Sequence, residues 1–114
     1  MIDSVKVGEM VYRIRGVDCV IDLNGDKQPH YHAYVSHGRC DIQYRNDLDP
    51  EIQMVAVLHE ILHVVGRMSG LEFALGENLE EQVVITFSHA LIPLLRHNPE
   101  LIKSVTEKAN EPGR

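Results

Sequence analysis

The stretch DPEIQMVAVLHEILHVVG, residues 49–66, decides how the rest of the chain is read. Asp49-Pro50-Glu51 has the form of a helix start. Asp is a favoured N-cap, proline's fixed φ suits the first helical position, and an acid is stabilised near the positive end of the helix dipole. Apolar residues then fall on every face (Ile52, Met54, Val55, Val57, Leu58, Ile61, Leu62, Val64, Val65). This predicts a helix over residues 50–65 that is buried all round, with Gly66 ending it.

Downstream the pattern stays helical. Residues 67–76 read as a connection with room for one helical turn. A second helix is expected over residues 78–92, broken or kinked by Pro93. Asn98-Pro99-Glu100 starts a third, short helix that ends near residue 109, and residues 110–114 read as a tail.

Upstream the period changes to two. In residues 5–15 the apolar positions are Val5, Val7, Met10, Tyr12 and Ile14, interrupted by Gly8-Glu9, a turn or bulge signal. Residues 17–23 form a second apolar stretch closed by Asn24-Gly25, a strong turn signal. Residues 31–35 and 40–44 are short strand-like runs around His37-Gly38, which suits a hairpin. The expectation is one α+β domain over residues 1–114: a small antiparallel β-sheet within residues 1–46, then helices within residues 49–109.

The bulk numbers bound the function. The chain has 114 residues, with 44 % hydrophobic and 25 % charged, ordinary for a globular protein with one core. A net charge of −6 disfavours binding to a phosphate backbone, so no nucleic-acid partner is expected. No apolar run approaches the roughly 18 residues of a membrane span, and MIDSVKVGEM lacks the apolar core of a signal peptide. Cys19 and Cys40 stand alone, without a Cys-x-x-Cys pair, and read as small apolar residues of a reducing, cytoplasmic compartment.

Within the most strongly patterned helix lies His59-Glu60-Ile61-Leu62-His63, an H-E-x-x-H motif. Residues four apart lie one above the other on a helix, so both imidazoles can reach one ion at about 2.0–2.1 Å. Glu60, 100° further round, flanks that ion and can serve as general base toward a water that zinc activates near neutral pH. Random placement of seven histidines and ten glutamates in this chain generates about 0.04 such motifs. Its place in an otherwise apolar helix adds weight, because ionisable groups there need a partner or a metal. Zn2+ is therefore the expected cofactor.

A tetrahedral catalytic zinc takes three protein ligands and keeps one position open. Glu77-Asn78-Leu79-Glu80-Glu81 opens the next helix, far enough along the chain to fold back on the first, and suggests a His, His, Glu site. At 100° per residue, Val84, Phe87, Leu91 and Leu95 fall within about 80° of Glu80. Glu80 is thus central on the apolar face and is the expected third ligand. Glu81, at the border of that face, and Glu77 remain alternatives, and His89 falls opposite.

LHEILHVVG at residues 58–66, the Glu80-Glu81-Gln82-Val83 helix and Leu95-x-x-Asn98-Pro99-Glu100 together resemble short H-E-x-x-H proteins of phages and prophages. These are related to the ImmA/IrrE-like metallopeptidases and, more broadly, to minimal gluzincins. The resemblance covers residues 50–102. It implies a zincin-like fold with a small sheet on the active-site helix, zinc held by His59, His63 and a glutamate of the next helix, and Glu60 as general base. It also implies a peptide or protein substrate. The chain departs from the larger members after the glutamates, where Gln82-Val83-Val84 stands in place of E-A-N or E-A-D. The acid expected four residues after the ligand, to orient a ligand histidine, is replaced by Val84 or Ile85.

His30, His32 and His37 read as exposed or hairpin residues, and His89 and His97 as surface residues. Tyr31, Tyr34 and Tyr44 are candidates to stabilise an oxyanion, with sheet packing the plainer account of each. The reading is zinc-dependent peptide-bond hydrolysis. The alternative is a non-catalytic or latent zinc-binding module of phage or prophage origin.

Overall fold

The computed structural model describes residues 1–107; the expected end of the last helix near residue 109 and the tail lie outside them. The first half of the chain is strands and the second half helices, an α+β arrangement. β1 (Ser4–Val7) and β2 (Met10–Val17) form a hairpin across Gly8-Glu9, where Gly8 takes a left-handed φ of 59°. β3 (Val20–Ile21) and β4 (Lys27–Gln28) form a separate small ribbon around the Asn24-Gly25 turn. β5 (Ala33–Ser36) and β6 (Asp41–Arg45) form a second hairpin.

The main sheet runs in the order β1-β2-β6-β5. The two hairpins join through β2 and β6, which run parallel, Ile14 opposite Ile42. The sheet is therefore mixed, where an antiparallel one was expected. Parallel neighbours need a long crossover, and here residues 18–40 supply it. The crossover places Val20 fully buried, and the Gln43 side chain ties it down by accepting from Ile21 N (3.0 Å) and donating to Ile21 O (2.7 Å). β6 is consequently covered on both faces, and Asp41, Ile42 and Gln43 are all buried. Asp41 is satisfied by Arg15 at 2.9 and 3.0 Å and by Arg13 at 3.4 Å.

Period two does its expected work in β2. Tyr12 and Ile14 point inward with Ile42, and Arg13 and Arg15 point outward. The inward face packs on Val57, Ile61 and Val64 of α1 (Pro50–Ser69). α1 runs past Gly66 and ends at Gly70, whose φ of 80° makes the left-handed cap. Gly66 is instead a buried interior residue. α2 (Leu71–Leu75) is one short turn, and α3 (Glu77–His97) returns along α1 without a break at Pro93. α4 (Pro99–Thr106) follows.

α1 is not buried all round. Ala56, Val57, Val64 and Gly66 are buried, whereas Ile52, Val65 and Met68 are exposed. A chain this small has one sheet and one long helix to lay against α1, so a flank stays open, and that flank carries the motif. Among the described residues no helix is long and apolar enough to cross a membrane.

Candidate metal centre

α1 and α3 meet side by side at the motif. Nε2 of His59 and Nε2 of His63, one helical turn apart, are separated by 3.1 Å. From α3, Glu81 places one oxygen 3.1 Å from His59 Nε2 and the other 2.9 Å from His63 Nε2. These three side chains form the cluster of potential ligand atoms found among the described residues. Ligands at 2.0–2.1 Å on a tetrahedral zinc are about 3.3 Å from one another. The two Nε2 atoms, with one Glu81 oxygen beside each, are thus spaced near the distances that ligands of one ion adopt.

Glu80, the residue expected to complete the site, faces the other way. It is buried, as its central position on the apolar face predicts, at 3 % exposure. Its oxygens, however, lie 2.5 and 3.1 Å from Nδ1 of His63, the nitrogen turned away from the cluster. The reason is the place of each acid on α3. The border residue Glu81 reaches the open flank of the α1–α3 interface, where both Nε2 atoms lie. The central residue arrives beneath the histidine instead. Glu77 lines the cleft but is not part of the cluster.

Glu60 lies beside the histidines. Burial pushes its carboxyl up to about 7, against the opposing pull of His63 and of the Val35 backbone N–H; Glu81 adds to the rise. Burial also lowers the pKa of His59, with Glu81 pulling the other way, and so favours the neutral imidazole that ligates metals.

The cluster opens on a cleft of about 1030 Å³. One wall is the edge strand β5 with Tyr31 and His32. The floor is Ile52, Val55 and Ala56 of α1, and Ile85, Ser88 and His89 of α3 close the far side. Arg45 N bonds His32 O at 2.9 Å, so by antiparallel alternation the backbone groups of Ala33 and Val35 point away from β6, into the cleft.

The remaining candidates are dispersed. His37 pairs with the Tyr12 hydroxyl at 3.3 Å, and Tyr44 packs over Gly16. The Tyr34 hydroxyl accepts from Leu23 N at 3.3 Å. Cys19 and Cys40 are free and half-buried. His89 is exposed, as expected, and stands at the rim of the cleft. The sequence signal for the border stripe of α3 is the spacing Glu81, Ile85, Ser88, with Ser88 almost fully buried. Compared with known protein families, characterised proteins and solved structures, the chain matches none.

Proposed function

We propose that this chain is a small zinc-dependent peptidase, with His59, His63 and Glu81 holding the metal and Glu60 acting as general base. The observation that carries the reading is the triangle of two Nε2 atoms and one carboxylate beside a buried acid. Zinc held there supplies a Lewis acid and makes hydroxide available near neutral pH. An extended peptide fits the cleft by pairing with the outward backbone groups of Ala33, as a strand added to the sheet edge, the Val35 N–H being engaged by Glu60. Glu60 takes the proton from the attacking water as its oxygen bonds the scissile carbonyl carbon. It delivers that proton to the amine as the C–N bond breaks. The resemblance to ImmA/IrrE-like metallopeptidases supports the same assignment, with the glutamate ligand moved from Glu80 to Glu81.

A non-catalytic zinc module is the second reading. It is favoured by the Tyr34 hydroxyl being engaged with Leu23, which takes one of the two tyrosines lining the cleft out of the role of oxyanion donor. Metal analysis together with cleavage of a peptide library separates the two. One zinc per chain with cleavage that Glu60→Gln abolishes supports the peptidase. One zinc with no cleavage supports the module, and no metal uptake rejects both.

A further inference from the structure

Two locally unfavourable choices meet behind the cluster. Glu80 puts a carboxylate at the centre of α3's apolar face, where an apolar residue would pack without paying a desolvation cost. Gly66 puts a glycine inside α1, where it weakens the helix. They are in contact: a Cβ built on Gly66 would stand 3.4 Å from Glu80 Oε1 and 3.8 Å from its carboxyl carbon. The Glu80 carboxylate lies against the bare backbone at residue 66 while both its oxygens address His63 Nδ1; an alanine Cβ there would be in ordinary contact with it, and a longer side chain would crowd it.

We propose that Glu80, seated over Gly66, is the positioning residue of the centre: it fixes His63 in the Nδ1–H tautomer and aims Nε2 at the ion. A carboxylate accepts hydrogen bonds, so Glu80 holds the Nδ1 side of the ring, and Nε2 is the nitrogen turned to His59 and Glu81, where an ion would take the place of any proton shared with Glu81. The ring cannot flip without losing that bond, which holds Nε2 at 3.1 Å from Nε2 of His59. An anionic partner also raises the basicity of the ligand imidazole, strengthening its bond to metal. The orienting acid thus comes from the residue before the ligand Glu81, and not from the position four after it, where Ile85 stands. This role deepens the proposed metal reading, and its test keeps the two separable.

The test has a metal-free arm and a metal arm, both on the full chain. Long-range ¹H–¹⁵N NMR of the metal-free protein reads the His63 tautomer directly. A proton on Nδ1 is expected in wild type, whether or not Nε2 also shares one with Glu81, and Glu80→Ala should shift the population toward a ring protonated on Nε2 alone. An Nδ1 without its proton in wild type, or an Nδ1–H population unchanged in Glu80→Ala, overturns the proposal whether or not zinc binds. By chelator competition, Glu80→Ala should lose about 10- to 100-fold in zinc affinity and Glu80→Gln, which keeps an acceptor, distinctly less. Gly66→Leu, which fills the seat, should match Glu80→Ala, and the double variant should lose no more than either alone. Additive losses, or equal affinity in Glu80→Ala and Glu80→Gln, would show the carboxylate to be only a packing element. Should Glu80→Ala fail to fold, Glu80→Gln and Gly66→Leu carry both readouts. Failure of wild type to bind zinc removes the metal reading while the tautomer arm still decides the role of Glu80.

Discussion

Glu81 Oε2 stands 2.9 Å from Nε2 of His63, on the opposite side of the imidazole from the Nδ1 that Glu80 holds. Two adjacent acids thus address the two nitrogens of one ring. On the proposed assignment Glu81→Ala removes a ligand, whereas Glu80→Ala removes only the support of one. Zinc affinity in a chelator competition should therefore fall further in Glu81→Ala than in Glu80→Ala. The reverse order would return Glu80 to the ligand set.

Zinc should also stabilise the fold, because its ligands come from two helices that the unfolded chain does not bring together. At a hundredfold excess over Kd the linkage is worth about 2.7 kcal/mol, a rise in Tm on the order of 10 °C for a domain of this size. Calorimetry with and without zinc checks this, and His59→Ala should abolish the rise.

Glu60 is outside the ligand triangle, so Glu60→Gln should bind zinc as tightly as wild type within a few-fold. Any hydrolysis should fall by about 10²- to 10⁴-fold, the range general base catalysis contributes. Loss of the metal in this variant would mean that Glu60 has been given the wrong role.

Asp41 links stability to acid. Burial alone would raise its pKa, but the hydrogen bonds and charge of Arg15, with Arg13, outweigh that and hold it below the ordinary carboxylate value. A depressed folded-state pKa gives stability that is present above the unfolded value of about 3.9 and lost as pH falls through the folded value. Asp41→Asn should cost about 1–2 kcal/mol at neutral pH, the arginines being partly exposed. That difference should shrink below the unfolded value and close only once pH has fallen through the depressed folded value. Urea titrations at about pH 7 and about pH 2 measure both ends, and a gap that is the same at the two pH values would contradict the assignment.

Much of this arrangement is legible in the chain because its signals are local. Asp49-Pro50 and Asn98-Pro99 mark helix starts, Gly8-Glu9 and Asn24-Gly25 mark turns, and Tyr12 and Ile14 alternate with arginines. His59 and His63 meet because residues four apart on a helix must. The parts that were not legible depend on distant partners. The parallel pairing of Ile14 with Ile42 has no turn to announce it. Gly66 reads as a helix end, whereas in the fold it lies inside α1 against Leu71 and the Glu80 carboxylate, residues far enough along the chain to give it no local signal. Helix phase gave Glu80 a buried place on α3, which the structure bears out, but it does not announce which acid faces the open flank, where Glu81 meets the two Nε2 atoms.

The join between β2 and β6 also bears on how the molecule assembles. Each hairpin can close on its own within microseconds, but Arg13 and Asp41 are 28 positions apart, and their strands meet only after the intervening chain has looped back. Closing that loop costs entropy before any contact repays it, which places the slow step of folding at the centre of the sheet. α1 follows β6 directly in the chain and packs on the face that the two central strands build together. The two histidines are therefore held in place only once the last and most distant strand pairing has formed.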